Sequence, residues 1–418
     1  FQVLTVKKNI GLLLVVLLSG YAFAASSADE AFASLSERYL IDLPNFSPVG
    51  ATLIGDHSAD HKLDQVDADA HAKVRALYVD YLDAIESIDR DALSRANQVD
   101  AELLRAELEA SLWALDTLQE WAWNPLYYVN LSGSSIYGLV ARDFAPLEDR
   151  LDAAASRLEQ MPRFLEQARA AIQPARVPKI HAETAVKQNP GLISIIENMI
   201  VPDIDKLPTQ AQERLVAAID VAKDAVAAHQ TWLEEELLPR AAGDFRIGAE
   251  LYDTKLAFAL NSPLGRKEIR ARAEAEYESV RNQMYEIARD IYAAKHPYAA
   301  FPDEPDESYK QVVIRAALEQ AYQALPPRDG IVEVARQQLQ EATDFVIERN
   351  IVTMPEEPVE IIIMPEFQRG VSVAYLDPPG PLDRDQSAFY AVAPLPEDWT
   401  DEQVNSFLRE YNLYSLQD

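Results

Sequence analysis

Over residues 359–392 the sequence changes its periodicity, and that change constrains the fold more than any other feature. Elsewhere apolar residues recur at three- and four-residue spacings, as on helices. Here three runs rich in β-branched and aromatic residues stand close together: Val-Glu-Ile-Ile-Ile-Met (359–364), Val-Ser-Val-Ala-Tyr (371–375) and Ala-Phe-Tyr-Ala-Val (388–392). Gly370 and the Pro-Pro-Gly-Pro turn at 378–381 separate them, so a small antiparallel sheet is expected. The predicted fold class is mainly α: one large multi-helix domain over residues 25–418, with that sheet near its C-terminal end.

After the sheet, Thr400 and Gln403 have the spacing of a capping box, and Val404, Phe407, Leu408 and Tyr411 follow on one helical face. Leu413, Tyr414 and Leu416 then continue with no Gly or Pro to stop the helix. We read the domain as incomplete at this end, a fragment cut at the entrance to its next element. Such a fragment should expose more than the few hundred Å² of contiguous apolar surface usual on a monomer.

Before the sheet, helices are expected over 28–40 (Phe32, Leu35 and Tyr39 inward), 68–88, 91–123, from the 141–147 stretch onward, 208–238, 263–294, 307–325 and 331–350. Met161-Pro162 is expected to interrupt the helix that the 141–147 stretch opens, because proline lacks the N–H that the helix needs. Ser262-Pro263 reads as the start of the longest helix, with Ile269, Ala273, Tyr277, Val280, Met284, Ile287 and Ile291 inward. The aromatic cluster from Trp121 to Tyr128 reads as a packed corner, since Pro125 prevents the preceding helix from continuing. No repeat of 20 to 50 residues is evident, which argues against a solenoid.

Charge narrows the partners. With 38 Lys+Arg against 68 Asp+Glu, the formal net charge is -30, which excludes a nucleic-acid role through a basic face and opposes binding to an anionic lipid surface. Residues 1–24 read as a signal peptide: Lys7 and Lys8, an apolar run at 10–18, and Ala22-Phe23-Ala24 as the cleavage site before Ala25. The mature chain is therefore expected to be periplasmic or secreted, with no membrane contact after cleavage. There is no cysteine, so a lipidated cysteine, disulfides and thiol catalysis are all absent from this sequence.

The chemistry-bearing motifs are few. There is no Gly-rich phosphate loop, no G-x-S-x-G elbow and no H-E-x-x-H helix. Gly55-Asp56-His57-Ser58-Ala59-Asp60-His61 is the one histidine pair. On a helix His57 and His61 would share a face, with Asp56, Asp60 and Asp64 as further oxygen ligands for a metal. Gly55 and the polar run instead favour a turn or helix start whose Asp and His side chains cap backbone N–H groups, and no metal site is assigned. His181 and His229 lack partners at ligand spacing and read as structural.

Several of these stretches together resemble an uncharacterised bacterial family catalogued as domain of unknown function 885. They are Gly55-Asp56-His57 with Asp60, Asn124-Pro125-Leu126-Tyr127-Tyr128, Arg142-Asp143-Phe144-Ala145-Pro146-Leu147, the 181–191 loop, Met364-Pro365-Glu366-Phe367, Ala374-Tyr375-Leu376-Asp377-Pro378-Pro379-Gly380-Pro381 and Arg409-Glu410-Tyr411-Asn412. The likeness runs from about Glu30 to Asp418. It implies a mainly helical fold like that of zinc-dependent peptidases. It also implies, for longer members, a zinc-binding His-Glu helix just after the stretch that looks like Arg409 to Asp418. None of those motif residues occurs in this sequence, so no catalytic or metal residue is carried over.

The resemblance gives the late sheet a role, since in such peptidases a strand pairs with the extended peptide substrate. The candidate strands are 371–375 and 388–392, with Tyr375, Phe389 and Tyr390 as substrate-contacting side chains. Two readings follow. In one, the chain is the scaffold portion of an exported zinc peptidase whose full-length form binds zinc. In the other, it is a non-catalytic periplasmic protein that captures a peptide or partner.

Overall fold

A computed structural model describes residues 27–355, 357–370 and 372–413. The expected signal peptide, Val371 of the second expected strand, and residues 414–418 lie outside the described residues. The first half is helical: α1 (Ser27–Phe46), α2 (Pro48–Leu53), α3 (Ala68–Glu86), α4 (Arg95–Trp113), α5 (Glu120–Trp123), α6 (Pro125–Val140), α7 (Leu147–Ala171), α8 (Lys179–Gln188), α9 (Gly191–Ile195) and α10 (Thr209–Trp232). Then come α11 (Ala249–Leu260), α12 (Arg266–Lys295), α13 (Glu307–Ala321), α14 (Ile331–Arg349), β1 (Val359–Ile363), β2 (Ala374–Asp377), β3 (Ala388–Val392) and α15 (Asp401–Glu410). The expectation of a mainly helical chain with a small sheet near the C-terminal end holds.

The main core lies between α7 and α10, where Leu151, Leu158, Phe164 and Leu165 meet Leu215, Ala218, Ala222 and Val226. Helix α6 crosses them and is buried almost all round, with Tyr128, Ile136 and Leu139 at 0% exposure. That fits its apolar sequence and lack of charged residues. A smaller cluster of Phe32, Leu35, Tyr81, Ile85 and Leu108 joins α1, α3 and α4.

Three local expectations are corrected. Helix α7 runs through Pro162 without a break. Proline costs about 3 kcal/mol in a helix interior, but Leu158, Met161, Phe164 and Leu165 around it are all at 2% exposure or less. Burying each contributes about 1.5–3 kcal/mol, so packing outweighs the lost hydrogen bond. The expected single helix over 91–123 is broken instead: α4 ends in a π turn at Ala114–Leu118, and Gln119 closes it in the left-handed region with φ 53°. The indole N–H groups of Trp121 and Trp123 donate to the Leu115 and Leu118 carbonyls at 3.0 and 2.9 Å, taking over acceptors that the helix end leaves free. The aromatic corner is thus packed, as expected, and also caps α4.

The third correction concerns α12. It begins at Arg266, not Pro263, and its expected inward stripe faces out: Tyr277 is 57% exposed, Ile287 67%, and Val280, Met284 and Ile291 are exposed too. Tyr285 and Ala288, one step round the helix, make the buried contact, against Val313 and Ile314 of α13. Apolar spacing locates an apolar stripe but not its partner, and this helix packs on its neighbour with another face.

The sheet is mixed, not antiparallel throughout. Its order is β1-β3-β2, with β1 parallel and β2 antiparallel to the central β3. After β1 the chain dips into the helical body at a turn (Glu366–Gln368) whose Phe367 joins the main core, and it returns as β2. The 378–387 loop then brings β3 back into the gap, which fixes its direction parallel to β1. Phe367 seats against two glycines: a Cβ on Gly133 would lie 2.5 Å from its ring, and one on Gly191 2.5 Å from its backbone N. Phe367→Ala should lower the unfolding free energy by ~3–5 kcal/mol in urea melts. Phe245→Ala, at a side chain 54% exposed, should change it by no more than about 0.5 kcal/mol.

Candidate functional site

Because alternate residues of a strand face opposite ways, β3 divides the expected site residues. Phe389 lies opposite Asp377 in the register, on the same face as Tyr375 of β2, whereas Tyr390 pairs with Leu376 on the other face. Tyr390, Ile361, Ala374 and Val392 turn to Ile331 of α14 and to Val404 and Leu408 of α15. The first face turns to the helical body. The structure therefore brings Tyr375 and Phe389 together and separates Tyr390 from them. It also corrects the expectation that 388–392 could receive a peptide strand, because β3 is paired along both edges.

On the body-facing side, Arg142 follows the end of α6 and spans the joint. Its guanidinium sits 4.1 Å from the centre of the Phe389 ring, Nη2 donates to the Asp377 carbonyl at 2.8 Å, and Nε donates to the Ser387 carbonyl at 3.4 Å. The Tyr137 hydroxyl donates to Asp377 Oδ2 at 3.2 Å. Burial, reinforced by the Asp377 carboxylate, pushes the hydroxyls of both Tyr137 and Tyr375 well up from their usual range, so both stay protonated. The Tyr375 hydroxyl is buried with no hydrogen-bond partner among the described residues.

The second half of the joint is built on the 55–60 turn. Asp56 accepts from Ser58 N–H at 2.9 Å and opens a short turn, His57–Ala59, which is the capping role expected for this run. Gly55 has φ +88°, and a Cβ there would lie 2.4 Å from Asp383 N; one on Gly380 would lie 2.3 Å from the Ile54 carbonyl carbon. Only glycines permit this approach of the two backbones. Across it Leu382 N–H donates to the Ile54 carbonyl at 2.9 Å. His57 is held between two carboxylates, with Nδ1 at 2.9 Å from Asp60 and Nε2 at 3.1 Å from Asp383. Its ring lies on Phe144 at 3.6 Å and 4°. His61 does not join it. Among the described residues no group of three or more His, Asp or Glu is placed to hold a metal ion.

Behind His57 sits Arg157 of α7, at 0% exposure. It donates to the carbonyls of Lys62 (2.9 Å) and Ser135 (2.6 Å) and to Thr52 Oγ1 (2.6 Å), and lies 3.8 Å from Asp60. Burial lowers its pKa to about 10, with Asp60 and Asp64 opposing, and leaves it charged at neutral pH. Asp60 thus stands between Arg157 and His57. Sequence reading missed Asp383, Arg142 and Arg157 as a set. Arg157 was open to recognition, since it falls three residues after Ala154 and four before Met161 on the inward stripe of α7.

These features define a class: a mostly helical body to which a three-stranded mixed sheet is fastened by a charged joint. The chain belongs to the family described as bacterial protein of unknown function (DUF885), whose profile matches residues 48–417. Among solved structures it is similar to a candidate lipoprotein of unknown function from Shewanella oneidensis, with 28% identity and a TM-score of 0.69, covering 92% of this chain and 68% of that one. It also shares the fold of a candidate lipoprotein from Colwellia psychrerythraea, with 14% identity and a TM-score of 0.65, covering 94% of this chain and 70% of that one. No curated protein matches. Among the described residues no helix is long and apolar enough to cross a membrane.

Removing one partner of a buried ion pair strands the other charge. Arg157→Met should therefore destabilise the protein by ~3–5 kcal/mol in chemical denaturation. Adding Asp60→Asn and Asp64→Asn should recover part of that loss, because they remove the stranded carboxylates.

Proposed function

We propose that the chain is the peptide-holding part of an exported peptidase, and that it captures an extended peptide along the outer edge of β2. The observation that carries this reading is the state of that edge. Ala393 N–H donates to the Val373 carbonyl, so in the antiparallel alternation residues 373, 375 and 377 bond to β3 while the backbone N–H and C=O of Leu376 point away from it. The Leu376 side chain is 59% exposed. An edge strand with free backbone groups is a template for strand addition, in which main-chain hydrogen bonds supply affinity and flanking side chains supply selection. Of the side chains expected to meet substrate, Tyr375 sits on this strand.

Export is supported by the Lys7-Lys8 start, apolar run and Ala22-Phe23-Ala24 site, and by solved relatives described as candidate lipoproteins. The zinc chemistry implied by the resemblance does not fit the residues described: His57 already has a carboxylate on each nitrogen, and no ligand group of three is assembled. No step through zinc is derived for this chain.

Fluorescence anisotropy with labelled, proline-free peptides tests the reading. Leu376→Pro removes the outward N–H and should weaken binding at least ~10-fold, whereas Leu376→Ala, which keeps it, should have a much smaller effect. Equal affinity for the proline variant would refute strand capture at β2. In a full-length form carrying the implied His-Glu helix, cleavage of the bound peptide that chelators abolish would favour the peptidase; binding without cleavage by that form would favour a capture protein.

A further inference from the structure

We infer that the His57 bridge is a pH-operated latch: the protonated ring holds the β2–β3 loop on the helical body, and deprotonation releases it. The geometry requires both nitrogens to donate, since each faces a carboxylate oxygen, Asp60 Oδ2 at 2.9 Å and Asp383 Oδ1 at 3.1 Å. A neutral imidazole has one N–H. Its other nitrogen would then present a lone pair to an anionic oxygen at hydrogen-bond distance, turning one attraction into a repulsion.

The charged groups around the ring come from every element that meets there. Asp56 and Asp60 lie on its own turn, and Arg157 of α7 reaches Asp60 at 3.8 Å. Asp64 is buried behind them. From the 141–146 segment Phe144 presents its face to the ring, Arg150 lies 6.0 Å from that Phe144 ring, and Asp143 is ion-paired to Arg150. From the loop come Asp383 and, next in sequence, Arg384 and Asp385. Arg157 already satisfies Asp60 in part, but among the described residues no cation other than His57 lies within 4.0 Å of the Asp383 carboxylate, and its second oxygen accepts from Gly380 N–H at 3.0 Å. Losing the imidazolium therefore falls mainly on the loop.

Burial pushes the His57 pKa down, but the hydrogen bonds to Asp60 and then Asp383 outweigh it, and the net shift is upward. For a histidine whose folded pKa is raised, the stabilisation is fully present below the unfolded-state pKa and is lost as pH rises through the folded value. The latch is thus closed in acid and opens on the alkaline side of the ordinary histidine range. It does not depend on peptide binding at β2.

Hydrogen exchange of the Leu382 amide, which donates to Ile54 across the joint, reads the latch directly. After correction for intrinsic exchange, its protection should fall at least about tenfold between about pH 6 and pH 9, while amides in the α7 core keep theirs. In Asp383→Asn, shown folded by circular dichroism, the His57 ring should titrate at lower pH by NMR, and the loss of Leu382 protection should move with it. PH-independent Leu382 protection in the unmodified protein would overturn the latch even if the variant fails to fold, as would an unshifted His57 titration in a folded variant.

Discussion

A fully buried guanidinium is costly unless everything around it is arranged to receive it, and Arg157 imposes that demand on this fold. Its donors reach carbonyls on the 48–62 segment and on α6, and its charge is balanced by Asp60. Two stretches far apart in sequence must therefore converge on α7. Once they do, Asp60 is fixed with a second oxygen free to meet His57, and His57 in turn meets Asp383. The sheet is fastened to the body at the end of that line, with the Gly55–Gly380 contact allowing the backbones to come close enough.

The rest of the joint shares one logic. Arg142 and Phe367 hold the two ends of the sheet's inner face, one by charge-assisted bonds and ring contact, the other by insertion into the apolar core. With β1 and β3 tied down, and α14 and α15 covering the outer face, β2 is left as a short outer strand beside the loop that His57 grips. The edge proposed to bind peptide and the proposed His57 clamp thus lie close together, the first on β2 and the second at Asp383 within the connection that follows it. Any movement of the loop bears directly on β2.

The sequence made the architecture legible where local rules decide it. Helical periodicity, the β-rich runs and the Thr400–Gln403 capping box, which forms with both of its hydrogen bonds, all carry over. It failed where long-range packing decides. The continuity of α7 through Pro162 depends on the core on both sides, and the facing of α12 depends on which neighbour it meets. Strand direction depends on how the chain reaches its slot: β3 enters between two strands already placed, and nothing in its five residues encodes that. The stretches that carry the family resemblance were each visible singly. Their convergence was not, because Asp383 and Arg142 look like ordinary surface charges until the sheet is docked.

The central claim is that the line from Arg157 through Asp60 and His57 to Asp383 couples the helical body to the sheet. A double-mutant cycle on stability with His57→Ala and Asp383→Ala, measured at about pH 6, tests it most directly. The account predicts a coupling of at least ~1 kcal/mol. Effects that add to within about 0.3–0.5 kcal/mol would mean that the two side chains act independently and that the sheet is held by other contacts.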